Sequence, residues 1–204
     1  MNILAFDTSG KVCTIALYFN NSLYFRISTT EKNHSANLFP LIDEVFHEAN
    51  TTIQEMDYLC VVAGPGSFTG VRIGIAAAKG LAQGLKKPCI VLNTLDVLCK
   101  ENIEPNTLVC PILDARAKQV YTCAKLNSKD GSHAIVEPRA IALQSLLEKI
   151  KNYNKLYFCG DGVPVYKEYI ASIIPNAQFS QFSDTSNISP HLLINSALEN
   201  INNA

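Results

Sequence analysis

Two aspartates, one glycine-rich stretch and four histidines are the residues whose types and spacing bear on chemistry in this chain. Asp7-Thr8-Ser9 follows an apolar run, "NILAF". A carboxylate and two hydroxyls in such a turn can cap it. Asp114 stands in a similar place, after "VCPIL". Residues 64–74 read "GPGSFTGVRIG" between an apolar run and an apolar helix pattern, a setting that can cradle phosphate at a helix N-terminus. Both phosphate fingerprints fail, however. No Lys-Ser or Lys-Thr pair follows the glycines, and Thr69 fills the third glycine slot of a dinucleotide loop. A tight turn launching a closely packed helix is the favoured reading. Gly160-Asp161-Gly162 reads as loop geometry after a strand. His34, His47, His133 and His191 show no metal-ligand spacing, so no metal site is expected. Ser35 beside His34 reads as a helix cap rather than as half of a nucleophile–base pair. The chain presents no catalytic set.

The elements that must position these residues follow from periodicity. Residues 2–6, 12–19 and 22–28 read as three strands, the last two joined at Asn20-Asn21. A helix is expected over residues 35–50, with Leu38, Leu41, Ile42, Val45 and Ala49 on one face. Pro40 must lie in its first turn or kink it. Residues 58–63 form a continuous apolar run and predict a buried strand. The next helix is expected over residues 71–85, and it is unusual. Arg72, Lys79 and Gln83 share an arc of about 40°, and the rest is apolar or small. Gly70, Gly74, Ala78 and Ala82 form a row of small residues that lets another backbone approach. One flank can pack on its own sheet; the other needs a second cover, which the helix carrying Leu38 and Ala49, a partner chain or both can supply. Gly74→Leu or Ala78→Leu is therefore expected to break a partner contact and leave the chain folded.

The pattern pauses at "ENIEPN", residues 101–106, which suggests a boundary between a lobe of residues 1–104 and one of residues 105–204. The second lobe repeats the first. "ILAFDTSGKVCTIAL" and "VCPILDARAKQVYTCAKL" each give a strand, an aspartate, a short turn and a second strand. Helices around 143–152, 163–174 and 189–201 and a strand "KLYFC" complete it. The fold class is α/β, and a strand–Asp–turn–strand hairpin opening each lobe resembles the actin-like ATPase (ASKHA) superfamily, with two related RNase H-like lobes. Asp114-Ala115-Arg116 lacks the paired glycines of a second phosphate-wrapping turn, so a complete ATP clamp is doubtful.

Composition excludes other classes. The chain has 204 residues, 48% of them hydrophobic, and a net charge of -1, which suits a packed globular protein and not a strongly basic nucleic-acid binder. No apolar run reaches the ~20 residues of a membrane helix, and the N-terminus lacks a signal-peptide pattern. Seven scattered cysteines read as buried reduced thiols. A cytoplasmic location is expected.

"ILAFDTS", "HSANLFPLIDEVF", "GPGSFTGVRIGIAAAKGLA", "PILDARAKQVY" and "GDG" occur in this order, over residues 1 to about 165. In this the chain resembles the TsaB (YeaZ) family of tRNA threonylcarbamoyladenosine biosynthesis proteins. The resemblance implies a non-catalytic paralogue of TsaD that activates TsaD by pairing with it. TsaD transfers threonylcarbamoyl to N6 of the adenosine next to the anticodon in tRNAs reading ANN codons. It also implies that the ATPase TsaE joins, that the chain forms a homodimer when alone, and that tRNA is met only through the complex. No cofactor would be intrinsic, with ATP or ADP at the interface of the complex. The partner interface is expected at Leu38, Leu41, Ile42, Val45, Gly70, Arg72, Gly74 and Ala78, and the phosphate-proximal turns at Asp7, Thr8, Ser9 and Asp114. Two departures bear on this. The chain stops without the family's "YLR"-like end, which touches TsaE recruitment, and Gln119 stands where the family often has Glu. The alternative is a small independent actin-like ATPase or kinase resting on Asp7 and Asp114. A metalloprotease, suggested by old family names, has no ligands to stand on.

Overall fold

The structure is a computed structural model and describes residues 1–28, 33–101, 104–128, 131–180 and 188–204. It divides into two units, Met1–Val97 with Asn187–Ala204, and Leu98–Ser186.

In the first unit, β1 (Ile3–Asp7), β2 (Thr14–Phe19) and β3 (Ser22–Ile27) form an antiparallel meander. Asn20 and Asn21 both take positive φ, 48° and 62°, as a two-residue turn between right-twisted strands demands. α1 (His34–Glu48) leads to β4 (Tyr58–Val62), parallel to β1, and α2 (Phe68–Leu85) leads to β5 (Cys89–Leu92), parallel to β4. The strand order is β3-β2-β1-β4-β5. Successive strand side chains alternate between faces. Leu4, Phe6, Ile15, Leu17, Leu59 and Val61 pack with Leu38, Ile42 and Val45 of α1 and Ala78 of α2. The opposite face receives the C-terminal helix, α6 (Pro190–Glu199), which meets β1, β2 and β5 and buries Leu193, Ile194 and Ala197.

The second unit follows the short helix α3 (Thr94–Leu98). Its strands are β6 (Thr107–Asp114), β7 (Gln119–Ser128), β8 (Gly131–Ala142), β9 (Leu156–Cys159) and β10 (Gln178–Phe179). They run in the order β10-β9-β6-β7-β8. Read from the other edge this is the order of the first sheet, with β6 in the place of β1. α4 (Leu143–Ile150) and α5 (Val163–Ile173) occupy the sequence positions of α1 and α2. Leu146, Leu147, Ile150, Val163 and Ile170 pack with Leu108, Ile112 and Phe158. The internal repeat expected from the two Asp-bearing hairpins is thus a repeat of sheet topology.

Several boundaries differ from expectation. The units part at Val97/Leu98 rather than at residues 104/105; residues 102–103 of the expected boundary lie outside the described residues. The expected lobe of 105–204 loses its last segment to the first unit, because the apolar face of α6 is buried on that unit's sheet. α2 begins at Phe68, three residues before the expected start, because Ser67 caps it: its hydroxyl accepts the Gly70 amide at 3.3 Å. Ser35 is no cap, since α1 starts at His34 behind Asn33. Pro40 lies inside α1 and beyond the first turn, where it removes the amide that would meet the Ala36 carbonyl. β8 escaped the periodicity because it is exposed along nearly its whole length, with only Val136 buried. Six of the seven cysteines are buried and Cys89 is half-buried, as apolar packing residues would be.

Candidate functional site

The turn after β1 holds the first aspartate. Asp7 is 1% exposed, and its Oδ1 accepts the Ser9 amide at 2.7 Å. Burial pushes the Asp7 carboxyl above its ordinary range, and the Ser9 hydrogen bonds and nearby His34 pull it back. The Cys13 thiol is pushed up to about 12, first by burial and then by the Asp7 charge.

The glycine-rich stretch covers this turn. Gly64 takes φ +91°, a conformation that a side chain resists, and its carbonyl accepts the Thr94 amide at 2.9 Å. The Ser67 amide donates to the Ser9 carbonyl at 2.7 Å, and the Thr8 hydroxyl donates to the Gly70 carbonyl at 2.7 Å. α2 then lies directly on the turn. A β-carbon at Gly70 would overlap the Thr8 carbonyl oxygen, and one at Gly74 would lie 2.5 Å from the Thr8 hydroxyl. Thr8 and Ser9 are buried, so the groups expected beside phosphate are held by the chain's own loop.

The residues expected at the interface pack largely within the first unit. Gly70, Gly74 and Ala78 do let a backbone approach, but that backbone is the β1–β2 turn and sheet of the same unit. Leu38, Ile42 and Val45 are buried in the same core, and Leu41 is half-buried against it. Of the eight residues, only Arg72 is exposed.

The outward face of α2 carries different residues. Phe68 is 70% exposed, and the Arg72 guanidinium sits over its ring at 3.6 Å. Ile75 follows one turn on at 40% exposed, and Lys79 is exposed beyond it. Phe68, Arg72, Ile75 and Lys79 fall within an arc of about 60° at helical periodicity. On α1, which packs beside α2, Phe39 is 48% exposed. The signal for Phe68 was present in the sequence, but it appears only when the helix is started at Phe68, behind the Ser67 cap. Farther along the same helix, β-carbons at Gly80 and Gly84 would meet nothing within 4 Å.

Asp114, the second aspartate, is exposed at the corresponding turn of the second unit. Its Oδ1 accepts the Tyr166 hydroxyl at 2.8 Å and the Arg116 amide at 3.0 Å, and its own amide donates to Asp161 Oδ1 at 2.9 Å. Among the described residues no three His, Cys, Asp or Glu side chains group to hold a metal. No helix among them is long and apolar enough to cross a membrane.

The family model for TsaD, tRNA N6-adenosine threonylcarbamoyltransferase, matches residues 28–195. The tRNA threonylcarbamoyladenosine biosynthesis protein TsaB of Bacillus subtilis is 31% identical over 88% of this chain and 79% of its own length. TsaB of Escherichia coli is 30% identical over 69% of this chain and 64% of its own length.

The chain belongs to the TsaB (YeaZ) family.

Solved structures agree on the fold. YeaZ from Pseudomonas aeruginosa superposes with a TM-score of 0.80 at 21% identity, over 99% of this chain and 92% of that one. A Bacteroides thetaiotaomicron protein described as having an actin-like ATPase fold gives 0.53 at 8% identity, over 95% of each chain. The α/β architecture is therefore that of the actin-like ATPases, and TsaB membership ties the chain to threonylcarbamoyladenosine biosynthesis.

Proposed function

We propose that this chain is a non-catalytic subunit that activates TsaD by docking on it through the outer face of α1 and α2. The activity in this reading is that of the complex: threonylcarbamoyl is placed on N6 of the adenosine next to the anticodon in tRNAs reading ANN codons. The observation that carries this reading is the outward face of α2. Phe68 stands 70% exposed with Arg72 stacked over it, beside exposed Ile75, in a protein whose other large apolar residues mostly lie in the cores. An exposed aromatic anchor next to an arginine has the chemistry of an interface hot spot. Arg72 is kept from the set expected from sequence; Phe68, Ile75 and Phe39 join it in place of the buried residues.

The same face serves a second copy of the chain when TsaD is absent, and TsaE and ATP or ADP enter with the assembled complex. tRNA is met through TsaD. An independent ATPase has less support, because Asp7, Thr8 and Ser9 are covered by the chain's own glycine loop.

Co-expression with a TsaD and a TsaE, followed by intact-mass measurement with and without ATP, tests this. Phe68→Asp and Arg72→Glu are expected to lower TsaD association at least about tenfold with an unchanged melting temperature. Full association of both folded variants would remove this face from the interface.

A further inference from the structure

The two units repeat one topology, and they differ where the helix after the glycine turn meets the Asp-bearing hairpin. Gly160 after β9 takes φ +95°, as Gly64 does after β4 at +91°. Counting on from these glycines, Tyr166, Ile170 and Ile174 stand where Gly70, Gly74 and Ala78 stand. In the first unit the Ser67 amide reaches the Ser9 carbonyl, two residues beyond Asp7, and the turn is sealed. In the second unit the Gly162 amide reaches the Ile112 carbonyl at 2.9 Å, two residues before Asp114. The turn beyond Asp114 is left uncovered, and Arg116, Ala117 and Lys118 are exposed.

A cavity of about 390 Å³ opens there, lined by Lys118, Ala142, Leu143, Gln144, Tyr166 and Tyr169. Two parts of its wall are held before any ligand arrives. The Tyr166 hydroxyl donates to Asp114 at 2.8 Å, and the Leu143 amide donates to the Lys118 carbonyl at 3.2 Å. Arg116, Ala117 and Lys118 take φ of 64°, 49° and 60° in succession, a run of left-handed residues without glycine. Such backbone is unfavourable and recurs at ligand sites. The described lining residues combine two phenol rings, two apolar side chains, one amide and one ammonium, and the neighbouring Asp114 carboxylate is engaged by the Tyr166 hydroxyl and the Arg116 amide. The volume lies in the range of small-molecule sites.

We propose that this cavity binds a small flat-ringed anion, its carboxylate or phosphate monoester on Lys118 and its ring against Tyr166 and Tyr169. Lys118 supplies the charge, Gln144 a neutral donor, and Leu143 with Ala142 apolar wall. Phenol rings accept flat ligands in offset or edge-to-face packing, and Tyr166, already held by Asp114, loses little freedom on binding. The inference does not depend on the TsaD partnership, since every described lining residue belongs to the second unit.

Isothermal titration of the full chain with benzoate and, separately, adenosine 5′-monophosphate tests it. At least one is expected to saturate below about 1 mM, which identifies the anion class. Lys118→Gln is expected to weaken that binding at least about tenfold, and Tyr169→Ala to weaken it with an unchanged melting temperature. No saturation by either probe at about 10 mM, or equal binding by Lys118→Gln, overturns the proposal. Lys118 is exposed, so its substitution decides the matter even where Tyr169→Ala fails to fold.

Discussion

Three glycines of one helix carry opposite meanings, and the neighbour of each missing β-carbon decides which. At Gly70 and Gly74 the neighbour is Thr8, too close to admit a methyl group. At Gly80 there is open space. Gly74→Ala is therefore expected to cost about 1–3 kcal/mol through overpacking. Gly80→Ala should stabilise by about 0.5–1 kcal/mol, because it lowers the entropy of the unfolded chain without a clash. Urea denaturation of the two variants checks the pair; equal shifts would contradict the packing of α2 on the Thr8 turn. The expectation that Gly74→Leu or Ala78→Leu would spare the fold and disrupt only a partner contact is reversed by the same geometry. Gly74 abuts Thr8 and Ala78 is buried, so a leucine at either overpacks and destabilises the first unit before any partner is tested.

At the scale of elements, the hairpins, the parallel strands and the order of helices were legible because their patterns are local. Continuous apolar runs gave β4 and β9, and the Asn-Asn turn gave β2–β3. The small-residue row of α2 was also legible, but its direction was not. A helix with a thin polar stripe says that two covers are needed, and not which flank takes which. The exposed β8 and the destination of α6 were missed for a related reason. Neither the pairing partner of a polar strand nor the sheet that receives an amphipathic tail is written in its own periodicity. Leu193, fully buried in α6, tests that destination. Leu193→Ala should cost about 2–5 kcal/mol. Hydrogen exchange should quicken in β1 and β2, which α6 touches, and leave the β6 amides protected. Equal loss in β6 would place the helix with the second unit.

At the scale of the molecule, charge says what the fold cannot. The chain carries 17 Lys and Arg against 18 Asp and Glu, and several of its cations are already engaged. Arg26 bridges Glu44 and Glu48 at 2.9 and 2.6 Å, Lys155 bridges Glu104 at 2.6 Å, and Arg72 lies on Phe68. Binding to a nucleic acid by counterion release needs cations clustered along a phosphate track, and each neutralised phosphate steepens the salt dependence by about 0.9 for a duplex. A TsaB chain acting through its partner should add little to that slope. Filter binding of tRNA to TsaD, alone and with this chain, over about 50 to 200 mM salt makes the comparison. The expected outcome is a tighter or more productive complex at an almost unchanged slope, with binding to this chain alone no better than about 10⁻⁴ M. A slope steepened by two or more would mean that this chain lays its own cations on the phosphates, and the role proposed for it would shift from activating TsaD to holding the tRNA.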